Sequence, residues 1–141
     1  MKPSMKHWAL AWLGTALALC LLDYLWLAYL SPDIYQAALG PILLKEPRLV
    51  PAALFYLVYV TGLVIFGVAP GLAAGRVGVA ARQGALFGFV AYATYDLTNW
   101  ATLTLFSGHL VAIDLTWGTL LSAIGSAAGC KAALYGSNLR N

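Results

Sequence analysis

Residues Trp8 to Leu30 read WALAWLGTALALCLLDYLWLAYL, an apolar run broken by a single charge, Asp23. A bilayer core about 30 Å thick takes about 20 apolar residues in helix, so this run is long enough to cross. Lipid offers backbone groups no partner, which leaves helices or a closed barrel. Barrel strands alternate over about 10 residues, and this run does not alternate. Working outward, the spans predicted by this rule cover about 7–30, 50–70, 83–106 and 114–134. Pro51 suits the first turn of the second span and Pro70 is expected to close it. The predicted fold is all-α: a polytopic membrane protein of four antiparallel transmembrane helices, forming one integral membrane domain over residues 1–141.

Composition points the same way. Of 141 residues, 62% are hydrophobic and only 9% charged, with a mean hydropathy of +0.80. Soluble domains carry about 25% charged residues, so a water-soluble fold is excluded, as are a disordered chain, a nucleic-acid-binding domain and a disulfide-stapled module. The net charge of +3 reads as a topology signal. Lys2, Lys6, Arg76, Arg82, Lys131 and Arg140 fall on one side of an even-span protein. On the other side Lys45 and Arg48 are offset by Asp33 and Glu46, and the last loop, SGHLVAI, holds no Lys or Arg. By the positive-inside rule both termini are cytoplasmic.

The apolar run continues past Cys20 to Leu30, too long for a signal-peptide core, so the first span is expected to persist as a mature helix. Cys20 and Cys130 lie roughly 20 Å and 6 Å from the cytoplasmic face by helix rise, too far apart in depth for a disulfide. The segment SPDIYQAALGPILLKEPR after the first span has an IYQAALGPILL core too short to cross. It reads as an outer interfacial helix with Tyr35 at headgroup level, the alternative being a re-entrant segment that covers a site.

Ionisable residues inside spans are costly, at least about 2.5–3.5 kcal/mol for a mid-bilayer carboxylate, and mark candidate sites. Asp96 lies near the middle of the third span with Asn99 one turn outward. Asp23 and Asp114 belong to the outer parts of the first and fourth. By the i, i+3, i+4 rule Tyr92, Tyr95, Asp96 and Asn99 share a stripe, and Thr94, Thr98 and Thr102 make a second. The third span is therefore expected to face protein or a cavity. Asp114, Trp117, Gly118, Ser122, Gly125 and Gly129 share a face of the fourth span, and Trp26 stands beside Asp23 on the first. These positions compose an outward-facing pocket floored by Asp96 and Asn99, with Asp23 and Asp114 at its rim and Tyr56, Tyr59, Tyr92, Tyr95, Trp26 and Trp117 as walls. No Lys or Arg within any span can neutralise the acids. They are protonated, or share protons and hydrogen bonds among themselves and the tyrosines, or bind a cation. The bland alternatives are a helix-capping role for Asp114 and a polar clasp between helices for Asp23, Asp96 and Asn99. His109 with scattered acids has no metal-ligand spacing, so no metal is assigned.

At these residues the chain resembles a known group. The strings LDYLWL (Leu22 to Leu27), LFYLVYVTGLVIFGVAP (Leu54 to Pro70), GALFGFVAYATYDLTNWATL (Gly84 to Leu103) and DLTWGT (Asp114 to Thr119) resemble the bacterial membrane family called domain of unknown function 2177. The resemblance implies a small four-helix protein of the bacterial inner membrane and no particular activity. Its signature positions fall on Asp23, Tyr56, Tyr92, Tyr95, Asp96, Asn99, Asp114 and Trp117.

Three functional readings compete. The leading one is a protein that binds or transports a small amphiphilic, cationic or lipid-headgroup ligand, with proton coupling through Asp96 or Asp23. The others are a structural or accessory membrane subunit, and a membrane-embedded enzyme acting on a lipid or polyprenoid through paired Asp residues. The expected partners are the lipid bilayer, such a ligand and a second copy of the chain, with no nucleic acid; the residues leave the cofactor open.

Overall fold

The computed structural model describes residues 3–136, so the topological charges Lys2 and Arg140 lie outside the described residues. Every regular element among them is helical. Helix α1 runs Met5–Leu30, its last turn Trp26–Leu30 opening into a π-turn. A short helix α2, Pro32–Leu39, follows and ends in a 3-10 turn, Gly40–Ile42. Then come α3, Leu49–Ala74, α4, Val77–Thr102, and α5, Gly108–Gly136.

Three of these, α1, α3 and α5, are long and apolar enough to cross a membrane. The sequence predicted four. Helix α4 has the length, at 26 residues, but Asp96, Asn99, its tyrosines and its threonines dilute its apolar character. Large hydrophobic side chains point outward all round, among them Leu17 and Leu21 on α1, Val58 and Phe66 on α3, Leu86 and Val90 on α4, and Leu120 on α5. The exterior is what lipid would wet.

Several boundaries differ from the sequence reading. Pro70 does not close α3. Proline removes a backbone donor and crowds the preceding turn, and the chain absorbs this in the π-turn Val64–Val68 and continues to Ala74. Gly75 then ends the helix at φ 63°, in the left-handed region that favours glycine. Helix α4 stops at Thr102 rather than near 106, and α5 begins at Gly108 rather than at Asp114. Asp114 is therefore well inside α5 and caps nothing. Cys20 is exposed, Cys130 buried, and both are free.

Helix α5 is the hub. One face presents Gly118, Ser122, Ser126 and Cys130 at i+4 spacing, and α4 meets it with Tyr92, Gly88, Gly84 and Ala80, also at i+4 spacing. A Cβ on Gly88 would strike Ser122 and the Gly118 carbonyl, and one on Gly84 would strike Ser126 and the Ser122 carbonyl. The Tyr92 ring lies directly on Gly118. Small residues thus let two backbones approach closely, in the manner of small-xxx-small packing. On its other side α5 offers Gly125 and Gly129 to Leu19, Thr15 and Ala11 of α1. Helix α3 closes the group where Gly67 meets Ser126 and Gly71 meets Ala80 and Cys130.

Gly88→Leu is expected to lower stability by about 1–3 kcal/mol through overpacking, seen as a lower thermal midpoint in detergent. Gly78→Ala, at a position with open space around it, should stay within about 0.5 kcal/mol of the parent. Equal melting of both variants would contradict the close α4–α5 contact.

Candidate functional site

The α4–α5 register sets the site. Stepping four residues beyond the Tyr92–Gly118 contact brings Asp96 opposite Asp114. Asp96 is six residues from the end of α4 and Asp114 six from the start of α5, so both lie about 9 Å from the connecting turn. Their carboxyls are close neighbours. Asp96 is 0% exposed and neither of its oxygens meets an N–H or O–H donor. Two carboxylates repel, so this contact is a hydrogen bond only while one of the pair carries a proton.

Asp114 has a second partner. Helix α2 lies over the α4–α5 turn, where Ile34, Ala38 and Leu39 pack against Phe106, Leu110 and Val111. This brings the Tyr35 hydroxyl inward to donate to Asp114 Oδ1, while Trp26 Nε1 donates to the Tyr35 oxygen at 3.2 Å. Tyr35 was expected at headgroup level and instead covers the acid pair. Burial and the adjacent Asp114 carboxyl hold its phenol above the usual range, so Tyr35 stays a donor. The sequence reading did not assign it to the site. Ile34, Tyr35, Ala38 and Leu39 form one apolar face of α2, but that pattern alone does not separate a protein partner from the headgroup region.

Asp23 anchors a second cluster on α1. Tyr56 donates to its Oδ2 at 2.8 Å and Trp117 Nε1 to its Oδ1 at 3.3 Å. The indoles of Trp26 and Trp117 stack at 4.4 Å with planes 7° apart, joining the two clusters through one aromatic pair. The π-turn contributes here, since both the backbone N–H and the hydroxyl of Ser31 donate to the Trp26 carbonyl and fix the helix end. Tyr59, deeper on α3, shares a hydrogen bond of 2.8 Å with Ser122.

Of the ten predicted site residues, Asp23, Asp96, Asp114, Tyr56, Trp26 and Trp117 come together with direct contacts. Tyr92 lies within electrostatic range of Asp23, Asp114, Tyr59 and Tyr35. Asn99 is half-buried with no side-chain hydrogen bond among the described residues, so it does not floor a pocket with Asp96. Tyr95 is 61% exposed and stacks edge-on with Phe106. The threonine stripe also points outward. Its hydroxyls donate to carbonyls one turn back, at 2.7 Å for Thr94 and 2.8 Å for Thr102, with Thr98 doing the same, which satisfies them without a cavity. The three carboxyls are packed into the interior in place of the expected open pocket. Five surface grooves are lined by mainly aliphatic and aromatic residues, and Asp23, Asp96, Asn99 and Asp114 line none of them.

The family model described as predicted membrane protein (DUF2177) matches residues 8–131. The chain belongs to that family. No curated protein and no solved structure matches it.

Tyr35→Phe removes the donor that ties α2 to Asp114. A hydrogen bond to a charged group contributes about 1.5–3 kcal/mol, so amide exchange across Pro32–Leu39 should accelerate while the cores of α4 and α5 stay protected. Unchanged exchange in α2 would mean that its apolar contacts alone hold it.

Proposed function

We propose that all four long helices cross a bacterial inner membrane with both termini cytoplasmic and α2 on the outer surface. The acid cluster beneath α2 is then a proton-linked binding site for a small cationic or amphiphilic ligand or a lipid headgroup. In support of the fourth span, α4 is about 39 Å long at 1.5 Å per residue, and Leu86, Phe89, Val90 and Leu97 make much of its exposed side apolar. Its carboxyl is fully buried and its outward threonines are self-satisfied.

One observation carries the binding reading: a buried carboxyl with no donor, set against a second carboxyl. Such a group is costly unless something shares it. In the closed state that is one proton held between Asp96 and Asp114, with Tyr35 from α2 completing the set. Asp23 lies across the Trp26–Trp117 stack, Tyr92 is nearby on α4, and no Lys or Arg stands in this half of the described helices. A cation entering the cluster would replace the proton, so affinity rises with pH over the range in which the ligand keeps its charge. Displacing α2 is the simplest opening, because it removes Tyr35 and bares Asp114. A second reading, a polar clasp that holds α2, α4 and α5 together, draws its support from the absence of Asp side chains from the surface grooves.

Two experiments test this. In a background with Cys20→Ala and Cys130→Ala, an impermeant maleimide applied outside intact cells should label His109→Cys and spare Arg76→Cys. Labelling of both would deny that α4 crosses. Native mass spectrometry of gently extracted protein should show a discrete bound mass that is lost in Asp96→Asn, whose amide donates to Asp114 and preserves the packing. Bare protein in both samples, with equal stability, favours the clasp.

A further inference from the structure

Between α3 and α4 runs a groove of about 380 Å³ lined by Phe55, Tyr59, Ala91, Tyr92 and Tyr95. Four of the five are aromatic. Phe55 stacks on Tyr59 at 5.3 Å, and Tyr59 meets Tyr92 edge-on at 6.2 Å, so the walls are braced against one another. Ala91 is the one position without a ring, which makes it the low point of the groove. The outer rim is open, with Tyr95 61% and Phe55 42% exposed on the face that lipid would cover.

The inner wall leads to the acids. Tyr92 lies over Gly118, and its hydroxyl has Asp23, Asp114, Tyr59 and Tyr35 as electrostatic neighbours but no hydrogen-bond partner among the described residues. Unlike the Asp96 oxygens, it is not among the sealed polar atoms left without a partner. An apolar trough open to the side of the protein thus ends at an uncommitted hydroxyl near two carboxyls, Asp23 and Asp114. No basic residue lines the groove to receive a phosphate or carboxylate, whereas aromatic faces and carboxyls both attract ammonium.

Building on the binding reading above, we propose that this groove is the berth for the hydrocarbon chain of an amphiphile with an ammonium-bearing head. The ligand reaches the carboxyl cluster sideways from the bilayer, past Tyr92. Chain burial from lipid brings packing and no hydrophobic gain, so selectivity resides in the head and residence in the fit of the chain.

Native mass spectrometry with phosphatidylethanolamine and phosphatidylglycerol of identical chains tests this. Wild type should retain the ethanolamine lipid about tenfold better, the worth of one charge-assisted contact. Ala91→Phe, which fills the trough, should abolish retention. Tyr95→Ala removes an exposed wall without disturbing the core, and should weaken retention about fivefold by loss of one aromatic contact. Asp96→Asn should lose the ethanolamine lipid down to the weak level of the glycerol lipid, and with it the preference between heads. Equal retention of the two lipids by wild type would overturn the ammonium assignment. Full selective retention in both Ala91→Phe and Tyr95→Ala would overturn the groove and leave the carboxyl site standing. Selectivity unchanged in Asp96→Asn would instead refute the carboxyl reading while keeping the groove.

Discussion

The close antiparallel contact between α4 and α5 is the constraint on which the rest depends. Gly84 against Ser126 and Gly88 against Ser122 bring the backbones so near that a single methyl group would collide. Interfaces of this kind tolerate little sliding, because any shift along the ridge puts a side chain where only a hydrogen fits. With the register fixed, Tyr92 must lie on Gly118 and Asp96 must face Asp114. The acid pair is therefore produced by packing several turns away, and its proton requirement follows from that geometry.

The other elements arrange themselves around this pair. Helix α5 also receives α1 on its Gly125 and Gly129 side, which brings Asp23 to Trp117 and Tyr56. The π-turn at Trp26–Leu30 sets Trp26 on Trp117 and ends α1 at Ser31. Helix α2 then folds over the α4–α5 turn and delivers Tyr35 to Asp114. Each contact leaves the acids more enclosed, with α1 supplying two of them and α2 the third. Of these, α2 is the smallest and has the fewest large side chains to release.

Much of this was legible in the sequence. Run length and composition gave helices in lipid, and helical spacing marked Gly118 and Ser122 as a packing surface, although Gly125 and Gly129, read on that same face, turn to α1 while Gly118 and Ser122 meet α4. The identity of the acids and most of their aromatic neighbours followed from the cost of charge in apolar helices. The pairing did not. Placing the helix ends near 106 and 114 centres the hairpin several residues too late, which turns Asp96 away from Asp114. Turn boundaries depend on local caps that a hydropathy pattern does not carry. The threonines misled for a related reason: a hydroxyl that bonds its own helix looks polar in sequence and is self-sufficient in lipid. Tyr35 was hidden because an interfacial tyrosine and an inward one have the same pattern of neighbours until the packing partner is known.

The central claim is that Asp96 and Asp114 hold a proton between them in the resting protein. Infrared difference spectroscopy of the membrane-reconstituted protein reads it directly through the carbonyl stretch of a protonated carboxylic acid. The account predicts such a band at neutral pH, shifted on exchange into heavy water and missing from Asp96→Asn. A wild-type spectrum with only ionised carboxylate bands at neutral pH would contradict it.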